Sequence, residues 1–159
     1  MALEMVRIDD RFIHGQVIVG WCPYIKPDRL ILCDDEIAQS DWECEIYRDA
    51  AEDYKTSIHS IKDTADILLT NEFKNEKVFL IASSPSVIVQ LVNCGVKINK
   101  IVVGGMHYQN GKRKILNFLY IDDRDLEDFR YLQTKNIVLE ARDVPDCRSI
   151  DLVKRLGLN

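Results

Sequence analysis

The stretch "RIDDRFIHGQVIVGW", residues 7–21, sets one of the chain's three histidines among two arginines and two aspartates, with glycine directly after it. A free imidazole titrates at about 6.5, so near pH 7 its nitrogen is a neutral nucleophile. It can take a phosphoryl group and pass it on by covalent catalysis. Such transfer needs in-line positioning and charge stabilisation more than proton chemistry. Arg11 stands in the same short loop as His14 and offers the forked donor that phosphate oxygens match. Gly15 lets the backbone come close, and a helix opening here, through Gln16, would turn its first N–H groups toward an anion. Asp9 and Asp10 repel phosphate, so their part is to orient Arg7 or Arg11 or to accept from loop amides. An ordinary polar-loop histidine without chemistry is the competing reading of His14.

The elements that must position this loop alternate between strand and helix. Residues 4–9 read as a first strand and 15–25 as a helix ended by prolines, with Gly20 inside it. Residues 29–35 form an apolar run stopped by two aspartates, the pattern of a strand buried on both faces. Trp42, Ile46, Tyr47, Ala50 and Tyr54 recur at helical spacing over 40–54. Residues 56–61 alternate as a strand, 63–71 read as a helix and 77–83 as another buried strand. The segment "SPSVIVQLVNCG" has Ser84 to cap a helix, Pro85 for its first turn and Gly95 to end it. Strands are predicted at 100–105, 115–121 and 136–142, with a turn at 109–112. Helices are predicted at 122–135, where acidic residues suit the dipole, and at 149–157.

The pattern predicts one three-layer α/β domain over residues 1–159, an open, mostly parallel sheet of about seven strands with helices on both faces. Ligands in such sheets bind beyond the carboxyl ends of the strands, which selects 9–15, 34–36, 83–85 and 104–108. Ser83 and Ser84 there can donate to phosphate, though helix capping is the simpler use of Ser84. Gly104 and Gly105 permit close backbone approach, to a ligand or within a turn. Asp34 and Asp35 read as helix caps rather than a metal site, His107 as a loop histidine and His59 as structural. Trp21 reads as core, and Phe12 and Ile13 as either loop anchors or a docking pair.

Composition narrows the function. A net charge of −5 argues against nucleic acid. No apolar stretch approaches the roughly 20 residues of a membrane span, and no secretory signal is visible. The five cysteines are odd in number and lack C-x-x-C spacing; Cys22, Cys33 and Cys94 sit in apolar patterns and read as buried reduced thiols of a cytosolic protein. No metal or other cofactor is implied.

Three blocks then carry a resemblance. "VRIDDRFIHGQVIVGW" closely resembles the R-[IV]-D-[DS]-R-L-[IL]-H-G-Q-V segment of the IIB subunits of the mannose/fructose/sorbose class of the bacterial sugar phosphotransferase system. "DRLILCDDE" and "VVGGMHYQNGKRKI" resemble two further blocks, in order along nearly the whole chain. The resemblance implies an open parallel-sheet fold and a cytoplasmic phosphocarrier, peripheral at the inner membrane face through its partners. It implies that His14 accepts a phosphoryl group, on Nδ1, from a IIA phosphohistidine and delivers it to a sugar entering through the IIC and IID membrane proteins. It matches Arg11 to the arginine that contacts the transferred group, and leaves the sugar and a homo-oligomer open. Two departures stand out: Gly20 replaces a common arginine in "VGW", and "SSPS" replaces a Thr/Asn-Pro sequence. The alternatives are a phosphohistidine relay or binding module not coupled to transport, and a plain α/β binder with a structural His14.

Overall fold

Along strand β1 (Ala2–Asp9), consecutive side chains enter different cores: Met5 belongs to one apolar cluster, Val6 and Ile8 to the other. The same alternation runs through β2 (Arg29–Cys33), β4 (Lys77–Ala82) and β5 (Lys100–Gly105), as expected of strands covered on both faces. The computed structural model describes residues 2–158. With β3 (Lys55–His59), β8 (Val138–Ala141) and β9 (Ile150–Asp151), these strands form a seven-stranded sheet in the order β3-β2-β4-β1-β5-β8-β9. Every pairing is parallel except β8 with β9.

One face of the sheet is covered by a π-helical segment (Gln16–Trp21) that runs into α1 (Cys22–Ile25), and by α2 (Asp35–Ala38) and α3 (Asp41–Ala50). The other is covered by α4 (Ile61–Thr70), α5 (Pro85–Asn93), α6 (Asp123–Thr134) and α7 (Leu152–Leu156). The three-layer, mostly parallel expectation therefore holds. From β1 the chain leaves toward β2, and from β5 it leaves the other way toward β8. The connections thus part at the carboxyl ends of β1 and β5, the place where a doubly wound sheet opens a crevice.

Several local expectations are corrected. The strand expected over 115–121 is a separate antiparallel hairpin, β6 (Arg113–Leu116) with β7 (Leu119–Ile121). The seventh strand of the main sheet is instead β9, inside the stretch read as a helix over 149–157. The 15–25 helix is π-helical over Gln16–Trp21. The helix over 40–54 is α3, whose inward residues are Cys44, Tyr47 and, just past its end, Ala51; Trp42 and Ile46 of the predicted stripe are exposed. Cys94, expected buried, is exposed, while Cys44 is buried and donates to the Ile37 carbonyl.

The residues expected at helix starts have different outcomes. Asp34 caps α2 through Ile37 N–H, and Asp35 accepts from Ile61 N–H at the start of α4. Ser84 occupies the position before α5, with Pro85 in the first turn, but its side chain makes no cap bond. At α6 the acidic first turn does more than complement a dipole: Asp122 and Asp125 form a reciprocal capping box. No helix among the described residues is long and apolar enough to cross a membrane.

Candidate active site

Asp9 ends β1 and is fully buried, with the equally buried Arg7 two residues before it on the same side of the strand. Two buried charges in a central strand survive only if paired and hydrogen-bonded. Arg7 donates through Nη1 to the Arg142 carbonyl at 2.9 Å. Through Nη2 it donates to the Asp143 carbonyl at 2.8 Å and to Asp9 Oδ2 at 3.3 Å. Its guanidinium lies 4.9 Å from the centre of the buried Trp21 ring, whose Nε1–H donates to the same Asp143 carbonyl at 2.8 Å. Arg7 and Trp21 therefore fasten the segment after β8 onto the end of β1.

The two glycines ending β5 make room for this arrangement. A Cβ on Gly104 would overlap the Arg7 guanidinium, and one on Gly105 would lie 2.8 Å from Asp9 Oδ1. The close approach foreseen for these glycines is to the Arg7 and Asp9 side chains.

After Asp9 the chain turns back, with Phe12 N–H donating to the Asp9 carbonyl. Phe12 has φ of 60°, a left-handed conformation that costs a bulky residue about 1 kcal/mol or more. Ile13, buried at the loop's base, and an edge-to-face contact of Phe12 with Tyr47 on α3 hold that conformation. These two residues are loop anchors. They deliver His14, with 18% of its side chain exposed, back over Asp9.

His14 Nε2 lies 3.0 Å from Asp9 Oδ2, and Gln16 N–H donates to His14 Nδ1 at 3.3 Å. A nitrogen that accepts an N–H carries a lone pair, so the proton of the neutral ring is on Nε2, donated to Asp9. Asp9 also accepts from Arg11 N–H, Nε and Nη2 at 3.1, 3.2 and 3.2 Å. Burial raises its pKa, but the bonds from His14 and Arg11 and the field of Arg7 outweigh that and bring it down to about 2. A carboxylate that stays ionised well below neutral pH thus fixes both the tautomer and the orientation of the imidazole.

Arg11 is one-third exposed. It donates from Nη2 to Gln16 Oε1 at 3.0 Å and lies 3.8 Å from Asp143 Oδ1. Gly15 has ordinary right-handed angles and open space where a Cβ would stand, so its bareness leaves the flank of the ring accessible. Ser83 and Ser84 stand half-buried just past β4, beside β1, and neither hydroxyl bonds the 9–16 loop among the described residues. Asp10 does not act on an arginine. It accepts from His107 N–H at 2.7 Å and pairs with His107 Nδ1, tying the β5–β6 connection to the loop.

Four of the participants were not foreseen: Arg142, Asp143, the Trp21 indole N–H, and the partnership of His14 with Asp9. Arg142 and Asp143 had a signal, because they stand at the carboxyl end of the strand read over 136–142. The strand-end rule that selected 9–15 applies equally to them.

An imidazole oriented by a buried carboxylate and flanked by arginine thus stands at the crevice of a doubly wound α/β sheet. The particular family follows from comparison with known proteins. Residues 3–159 match the family model described as the sorbose subfamily IIB component of the PTS system, and the chain belongs to that family. It is 33% identical over 157 residues to the fructose-specific EIIB component of Bacillus subtilis, covering 98% of this chain and 96% of that protein. It is 32% identical over 161 residues to the mannose-specific EIIAB component of Escherichia coli, covering 98% of this chain and 50% of that protein. The crystal structure of the IIBSor domain of the Klebsiella pneumoniae sorbose permease superposes with a TM-score of 0.94 at 27% identity, covering 99% and 97% of the two chains. The chain is thus a IIB component of the sugar phosphotransferase system.

Proposed function

We propose that His14 is the phosphoryl carrier of this component, loaded from a IIA phosphohistidine and unloaded onto a sugar arriving through IIC and IID proteins. The observation that carries this reading is the polarity of the ring, with Nε2–H held by Asp9 and the lone pair of Nδ1 turned toward Gly15 and Gln16. In loading, the Nδ1 lone pair attacks phosphorus and the donor P–N bond breaks, its electron pair returning to the donor imidazole. The Nε2 proton stays, and the positive charge of the ring faces Asp9. In unloading, a sugar hydroxyl oxygen attacks phosphorus, the P–Nδ1 bond breaks with its pair returning to His14, and the hydroxyl proton passes to solvent water. Arg11 and the Gln16 amide supply donors to the phosphoryl oxygens, with Ser83 and Ser84 at the next strand end as further candidates.

The site would work in the cytoplasm, at the membrane's inner face while it serves IIC and IID. The reading of residues 1–159 as one domain belongs to the same proposal. Incubation with a phosphorylated IIA protein should place one acid-labile phosphate on His14, and His14→Ala should take none. A label that survives His14→Ala would overturn the assignment. Sugar phosphate formed on adding IIC and IID vesicles would exclude a relay uncoupled from transport.

A further inference from the structure

Asp143 follows β8, and its backbone and side chain are held by different partners. The backbone carbonyl accepts from Arg7 and from Trp21, both at 2.8 Å. The carboxylate, 28% exposed, faces Arg11 Nη2 at 3.8 Å, and its field also reaches the buried Arg7. The side chain is therefore not what fastens this segment. It adds one negative charge on the flank of Arg11.

That charge balances the resting site. Arg7 and Arg11 are met by Asp9 and Asp143 around the His14 ring. A phosphoryl group on Nδ1 adds close to two negative charges near pH 7. Asp9 cannot yield, because it is buried under bonds from two arginines and His14. Asp143 is the carboxylate that opposes the newcomer for Arg11. We propose that Asp143 sets the phosphoryl-transfer potential of His14: it neutralises Arg11 in the resting protein and raises the free energy of the phosphorylated form. A carrier must release its group as readily as it takes it. Two arginines without this opposing carboxylate would load well and unload poorly. The inference rests on the reading of His14 as the carrier.

The test uses phosphoramidate as donor, whose P–N bond breaks as the P–Nδ1 bond forms and ammonia leaves. At fixed phosphoramidate and ammonia concentrations, the phosphorylated fraction at equilibrium reads the transfer potential directly. Asp143→Asn keeps the backbone carbonyl and should raise the equilibrium constant for loading by roughly five-fold at low salt, with the gap closing toward ~1 M salt. Asp143→Ser should move it in the same direction. Asp66→Asn, exposed on α4 across the sheet, should leave it unchanged. A merely structural role would lower loading and would not respond to salt. Equal or reduced loading in both Asp143 variants, with His14 labelled in the wild type, overturns this inference alone. Absence of any label on wild-type His14 overturns the carrier reading and the inference with it.

Discussion

Gly104→Ala is expected to destabilise the protein by about 3–5 kcal/mol, read as a fall in the urea midpoint at unchanged slope. The added Cβ would stand inside the Arg7 guanidinium. Arg7 cannot step aside cheaply, because it is fully buried and bonds two carbonyls after β8 as well as Asp9. Nor can β5 retreat, because its residues pair with β1 at Arg7 and Ile8 on one side and with β8 on the other. Either the guanidinium loses partners it needs in a dry interior or three strands must separate. Gly105→Ala should cost less, since the nearest atom to its Cβ is a carboxylate oxygen at 2.8 Å. A Gly104→Ala protein within about 1 kcal/mol of wild type would contradict the buried arginine arrangement.

Asp9→Asn carries the second large effect, on stability and chemistry together. It leaves Arg7 and Arg11 facing an uncharged amide, and breaking a buried pair of this kind costs roughly 3–5 kcal/mol. Part of that is visible in the wild type as pH dependence. Asp9 titrates at about 2 when folded, against an ordinary value of 3.8. A depressed carboxylate contributes stability that is complete above the unfolded value and is lost as pH falls through the folded one. The contribution is about 2 kcal/mol, lost on acidification from about pH 4 to about pH 2. The stability slope across that window should flatten in Asp9→Asn. The loading rate of His14 should fall on the order of 100-fold or more, because an amide neither holds the Nε2–H tautomer nor faces the ring's positive charge. A variant that loads at the wild-type rate would remove Asp9 from the mechanism.

What could be read beforehand follows from how local each cause is. Binary alternation and apolar runs are properties of neighbouring residues, so β1, β2, β4 and β5 were legible. The three-layer sheet followed from their alternation with helices. The position of the 9–15 loop was legible for the same reason, since the strand-end rule needs only the end of β1. The π-helical turn after His14 has no distinctive spacing, and β9 is two residues long. On α3 the helical spacing selected Trp42, Ile46, Tyr47, Ala50 and Tyr54; packing on the sheet kept Tyr47 and Tyr54 but turned Cys44 and Ala51 inward and left Trp42 and Ile46 exposed. Arg7 announced itself as a charge in an apolar strand, but its carbonyl partners lie 135 and 136 residues away. No local rule reaches that far. Gly20 remains the departure noted in the sequence. Its Cβ position meets only Pro145 Cδ, at 3.7 Å, so packing does not require glycine there.

The most direct measurement of the central claim is NMR of the protein carrying ring-15N-labelled histidine, before and after phosphorylation. Before, His14 should show a protonated Nε2 and an unprotonated Nδ1. After, a 31P–15N coupling should appear to Nδ1, with Nε2 still protonated against Asp9. Coupling to Nε2, or phosphorus on another residue with the His14 signals unmoved, would contradict the account.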